Sequence, residues 1–213
     1  MTQLSADAAV WLSSDSPQAP LALLLHGYGS NERDLAGLAP SLPSTFRYVA
    51  LRAPLAVQTG WSWFPLSVAG GRIAATGGRD AAREVARWAV AADVQPVGAI
   101  GFSQGGALTL ELLREGVIPS LQWGAVLSGF VLEGEPDDSG IDPRDSALSN
   151  RRPPVFWGRG DADPVVSPEL VGRTLEWLPA HCDARIELYP GLSHSVSAVE
   201  LSDLSEWLSE RAM

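Results

Sequence analysis

Leu21-Ala22-Leu23-Leu24-Leu25 is apolar at every position. That pattern predicts a strand covered on both faces, as in a parallel sheet held between two helix layers. Shorter apolar runs predict further strands over 8–12 at an edge, 46–51, 96–100, 121–127 and 154–157, with an alternating one over 185–189. Between them the period changes. Arg79 to Asp93 places Ala82, Val85, Ala86, Ala89 and Val90 on one helical face, with Arg83, Glu84 and Arg87 mostly elsewhere. Helices are also predicted from Ala107 towards Gly116, over 168–178 with Pro168 in the first turn, and over about 196–211. Ser30 or Asn31 can cap a short helix reaching Leu38, which Pro40 discourages from continuing. Two stretches carry no clear period: Arg52 to Gly78 reads as a long irregular loop, and Glu133 to Arg152 as a surface excursion or minimal cap. About seven strands alternating with helices mean an α/β fold, a mostly parallel, doubly wound sheet with helices on both faces. With no repeat and no long linker, residues 1–213 read as a single domain, loose only over 1–7.

Composition narrows the chemistry. The chain has 213 residues, 46% of them hydrophobic and 19% charged, as in an ordinary globular protein. A formal charge of −10 argues against a nucleic-acid partner, which needs a basic footprint. All 15 basic residues are arginine, so lysine chemistry is excluded. The single cysteine, Cys182, supports neither an intrachain disulfide nor a thiolate metal cluster. No long apolar span suggests a membrane helix and the first residues lack a signal-peptide plan, so the default expectation is cytoplasmic.

The polar signals fall just after predicted strands. Gly101-Phe102-Ser103-Gln104-Gly105 joins a strand to a helix with the G-x-S-x-G spacing of a nucleophile elbow. Such a turn brings backbone segments close together, and glycine lacks the Cβ that would collide. A serine hydroxyl needs a base, and histidine, with an unperturbed pKa of about 6.5, suits. Of three histidines, His26 follows a buried strand and reads as a loop brace, while His181 closes a helix and reads as a surface residue. His194 lies in a glycine-containing loop after the last strand and is the candidate base. The acid that would orient it is Asp161 or Asp163, which share one loop. The chain order Ser, Asp, His is that of α/β-hydrolases.

Leu25-His26-Gly27-Tyr28-Gly29, Trp63-Phe64, Gly101 to Gly106, Ser128-Gly129, Gly160-Asp161-Ala162-Asp163-Pro164-Val165-Val166 and Gly191-Leu192-Ser193-His194 together resemble the phospholipase/carboxylesterase family of α/β-hydrolases, which includes the acyl-protein thioesterases. The resemblance runs in order through nearly the whole chain. It departs at Pro65-Leu66, where the family usually continues with Asp, and in the acidic stretch after Phe130. It implies a serine hydrolase acting on carboxylic esters of short to medium acyl chains. Ser103 would be nucleophile, His194 base and Asp163 acid, leaving Asp161 to shape its loop. It also implies an oxyanion hole made by the backbone N–H groups of Tyr28 and Gln104. Trp61, Trp63 and Phe64 become candidates for the acyl pocket wall, with stapling of a long loop to the core as the equal alternative. No metal or cofactor is implied, and the expected partner is a small acyl ester or thioester, acted on by a monomer or homodimer. Other readings are an acyl-thioesterase, lysophospholipase or lactone hydrolase using the same groups, or a non-catalytic ligand-binding scaffold.

Overall fold

The computed structural model describes residues 4, 8–12, 14, 16–69, 72–135, 137 and 142–211. The loose segment expected over 1–7 lies outside these, apart from Leu4, which is buried. An edge strand, β1 (Ala9–Leu12), precedes β2 (Leu21–Leu25), whose five residues are all buried. Leu21, Leu23 and Leu25 enter one apolar core while Ala22 and Leu24 enter the other, which is why no position of this strand is polar. Asn31 caps α1 (Glu32–Ala36) by accepting from the Arg33 N–H, and one 3-10 turn, Ala39–Ser41, follows. After β3 (Arg47–Leu51) the chain departs from the irregular loop expected over 52–78. It forms two hairpins, β4 (Leu55–Val57) with β5 (Gly60–Ser62) and β6 (Leu66–Ala69) with β7 (Arg72–Ala75). Strands of three and four residues are too short to display an alternation, which is why the sequence pattern missed them.

Next come α2 (Gly78–Ala91), β8 (Pro96–Phe102), α3 (Gln104–Glu115) and β9 (Trp123–Leu127). The remaining elements are α4 (Pro143–Arg151), β10 (Pro154–Gly160), α5 (Pro168–His181), β11 (Asp183–Tyr189) and α6 (Ala198–Ser209). The main sheet has seven strands in the order β1-β3-β2-β8-β9-β10-β11, with β1 antiparallel to β3 and every other pairing parallel. Helices α2 to α5 bury residues in one core and α1 and α6 in the other. The doubly wound α/β architecture expected from the periodicity is therefore the one observed.

The 133–152 stretch contains a helix that the apolar pattern did not reveal. Leu148 is the one residue of α4 that is buried, so no hydrophobic period exists to be read. Ion pairs fix it instead: Arg144 Nη1 reaches Glu111 and Glu115 of α3, each at 2.7 Å, and Arg114 Nη2 reaches Asp145 at 2.6 Å. A cue was present in Asp142-Pro143, a capping residue followed by proline at the first helical position. Residues 136 and 138–141 of the expected cap lie outside the described residues.

Candidate active site

Successive strands run outward in opposite directions from the β2/β8 boundary, so the strand order reverses there. In open α/β sheets ligands gather beyond the carboxyl ends of strands at such a reversal. Ser103 follows β8 at this place, and the His26–Ser30 loop follows β2 beside it. A Cβ on Gly27 would lie 3.5 Å from the Ser103 Cβ. The Ser103 backbone has φ 52° and ψ −114°, a conformation that L-residues seldom adopt and that the surrounding turn must enforce. The flanking glycines are sterically required. A Cβ on Gly101 would overlap the Gly105 carbonyl oxygen, and one on Gly105 would overlap that of Leu25.

Ser103 Oγ lies 3.0 Å from His194 Nε2, and His194 Nδ1 lies 2.8 Å from Asp163 Oδ2. The other Asp163 oxygen accepts from the N–H groups of Val165 at 2.8 Å and Val166 at 3.3 Å. The Asp163 side chain is fully buried. Burial acts to raise its carboxyl, but the bonds from His194 and the two N–H groups outweigh it and hold the group below the usual carboxylate range. The Asp–His contact places the proton on Nδ1 and leaves Nε2 free to accept from the serine hydroxyl.

Asp161 does different work. Its Oδ1 accepts from the Gly191 N–H at 2.7 Å, and Ala162 N–H donates to the Leu192 carbonyl at 3.1 Å. The acid loop and the histidine loop are thereby laced together. Gly160 permits the approach, since a Cβ there would overlap the Leu192 carbonyl oxygen.

His26 is fully buried, with Nδ1 2.7 Å from the Gly27 carbonyl and Nε2 accepting from the Ala53 N–H at 3.1 Å. That accepting role fixes a neutral ring with its proton on Nδ1, and burial pushes its pKa below 6.5. It braces the loop that carries Gly27 and Tyr28. The same loop is tied to the β4–β5 hairpin by Gly29 N–H to Trp61 O at 2.8 Å and Trp61 N–H to Ser30 O at 2.9 Å. His181, at the end of α5, lies 2.7 Å from Ser149 Oγ and packs at a tilt against the Trp177 ring, away from Ser103.

Trp63 and Phe64, weighed as acyl-pocket wall, are 2% and 1% exposed and pack within a core cluster. Trp63 Nε1 donates to the His26 carbonyl at 2.8 Å. These are the contacts of a staple. Trp61 is half-buried, with the Arg52 guanidinium 5.2 Å from its ring centre. Tyr28, by contrast, is exposed beside the serine loop, and Val165 is exposed beside the acid. Gln104 begins α3, where backbone N–H groups have no intrahelical acceptor. Its side chain carries a role that no sequence pattern signalled: the buried carboxamide accepts from Trp63 N–H at 3.0 Å and donates to Phe64 O at 2.7 Å. The residue after the serine therefore fastens the Trp-Phe segment to the elbow.

Glu200, in the first turn of α6, lies under the acid strand, with Oε1 close against Gly158. It is fully buried, and neither carboxyl oxygen has a hydrogen-bond partner among the described residues. Burial pushes its pKa from 4.5 up to about 7. Between those values the folded chain holds a proton that the unfolded chain releases, so stability is full below 4.5 and falls as pH rises through about 7. Glu200→Gln, which cannot ionise, is expected to stabilise the protein at pH 8 by on the order of 3 kcal/mol and to change little at pH 4.5. Urea unfolding at the two pH values checks this; an equal effect at both would contradict it.

The chain matches the phospholipase/carboxylesterase family over residues 6–211. A probable carboxylesterase of Oryza sativa subsp. japonica is 38% identical over 110 residues, covering 51% of this chain and 39% of that protein. Acyl-protein thioesterase 1 of Neurospora crassa is 33% identical over 118 residues, covering 52% and 44%. The aligned stretches thus span less than half the length of these two curated relatives. Among solved structures, esterase PE8 superposes with a TM-score of 0.76 at 27% identity, covering 98% of this chain and 99% of that one. Arabidopsis thaliana SOBER1 gives 0.72 at 26% identity, covering 91% and 99%. The elbow, the laced acid and histidine loops, and a match that runs through almost the whole chain lead to one assignment: this protein belongs to the phospholipase/carboxylesterase family of α/β-hydrolases.

Proposed function

We propose that this protein is a serine hydrolase that cleaves carboxylic esters of short to medium acyl chains through an acyl-enzyme on Ser103. The observation that carries the reading is the continuous chain Ser103 Oγ, His194, Asp163, with links of 3.0 and 2.8 Å at the strand ends. His194 Nε2 takes the serine proton as Oγ attacks the ester carbonyl. The tetrahedral oxyanion is held by the backbone N–H groups of Tyr28 and Gln104, donors whose individual loss typically costs about 2.7–4 kcal/mol in the barrier. His194 then returns the proton to the leaving alcohol, and water repeats the sequence to release the acid. Asp163 keeps the imidazole in the required tautomer throughout. A cytoplasmic setting is in keeping with a chain whose one cysteine, Cys182, is buried and unpaired.

Acyl chain length is the part of this reading that a substrate panel tests. p-Nitrophenyl acetate and butyrate are expected to turn over with the highest kcat/KM, falling steeply towards palmitate. A profile that peaks at long chains or at thioesters would move the assignment to a lysophospholipase or thioesterase built on the same residues.

A further inference from the structure

Strand β10 is apolar from Pro154 to Trp157 and then carries Arg159 between two glycines. Arg159 is 6% exposed. Its Nε donates to the Gly160 carbonyl at 2.9 Å, and its Nη2 lies 3.8 Å from Asp163 Oδ2. A buried guanidinium needs a counter-charge, because an uncompensated charge in the interior is strongly destabilising. Among the described residues, Asp163 is the carboxylate within ion-pair distance of it. The oxygen that faces Arg159 is the one that faces His194 Nδ1. One fully buried carboxylate is therefore shared between a permanent cation and the imidazole that becomes a cation during turnover.

We propose that Arg159 is a positioning residue for the acid: it anchors the Asp163 carboxylate at the end of β10 and opposes the charge that His194 acquires, so that the base stays free to accept a proton. The inference rests on the serine hydrolase reading given above. Because both groups meet at one oxygen, their nitrogens lie no more than about 7 Å apart. At that separation, in partly buried surroundings, a unit charge moves a neighbouring titration by about one to two pH units. The other ionisable groups on elements meeting here are Asp161 on the acid loop, His26 and Tyr28 on the loop after β2, Asp183, Arg185, Glu187 and Tyr189 on β11, and Glu200, Asp203 and Glu206 on α6. Of these, Glu200 titrates in the same range, so the comparison is made in both the native and the Glu200→Gln backgrounds.

The test is the pH profile of kcat/KM for p-nitrophenyl butyrate in Arg159→Gln, Arg159→Met and Arg159→Lys, with NMR titration of the three histidines as a readout independent of turnover. In both neutral variants the acidic limb and the His194 titration are expected to move up by about one to two pH units. Arg159→Lys, which keeps the charge, is expected to leave the limb near its native position. Methionine fills the site without a polar head, so the neutral arm does not depend on glutamine being tolerated. A limb that stays in place while activity falls equally at every pH would make Arg159 a structural residue and overturn the proposal. So would a lysine variant that shifts as far as the neutral ones. Fluorophosphonate labelling of Ser103 separates the two ideas. Native protein that is not labelled there sinks the hydrolase reading and this proposal together, whereas labelled variants with an unmoved limb sink this proposal alone.

Discussion

Asp163→Asn is expected to lower kcat by about 10⁴-fold, because it presents His194 in the wrong tautomer, and also to lower stability, because the buried Arg159 loses its carboxylate. The local bonds dictate this outcome. The N–H groups of Val165 and Val166 both donate to Asp163 Oδ1, so an asparagine must place its carbonyl oxygen there. Its NH₂ then occupies the position of Oδ2 and donates to His194 Nδ1. The imidazole proton is forced onto Nε2, where it points at Ser103 and cannot accept from it. Asp161→Asn keeps an oxygen able to accept from the Gly191 N–H, so it is expected to lose no more than about tenfold, through looser lacing of the histidine loop. Steady-state kinetics on the two variants decides between the acids, and the reverse ranking would reassign the role to Asp161.

Ser103→Ala and His194→Ala are each expected to lower kcat by about 10⁶-fold, and the double variant by no more than either alone. The two side chains act as one unit: without the base the hydroxyl stays protonated, and without the hydroxyl the base has nothing to activate. Neither substitution empties the core, since both residues are half-buried and outside the two apolar clusters. Their unfolding midpoints are therefore expected to stay close to native, which separates loss of chemistry from loss of fold. Multiplying losses in the double variant would mean that the residues act independently.

Much of this site was legible in the sequence because its chemistry sits at strand ends, where a short polar motif interrupts an apolar run. Ser103, His194 and the 161–163 loop all follow strands that the apolar pattern located. The choice between Asp161 and Asp163 was not legible in pattern alone, since both lie in one turn and differ only in which way each side chain faces. The family resemblance separated them, and the hydrogen bonds assign one to His194 and the other to Gly191 N–H. The hairpins over 55–75 and α4 escaped for a different reason: short strands and a helix held by ion pairs have no hydrophobic period to detect. Two side-chain roles depend on tertiary contacts far apart in the chain. Gln104 fastens residues 62–64, and nothing in its local sequence says so. Arg159 did carry a cue, a lone charge at the end of a buried strand four residues before the acid.

Mass spectrometry after reaction with a fluorophosphonate probe reads out whether Ser103 is the nucleophile that accepts the acyl group. One adduct per chain is expected, mapped to the peptide carrying Ser103, absent from Ser103→Ala and strongly slowed in His194→Ala. Full turnover of p-nitrophenyl butyrate by Ser103→Ala, or an adduct on another residue with Ser103 unmodified, would contradict that role.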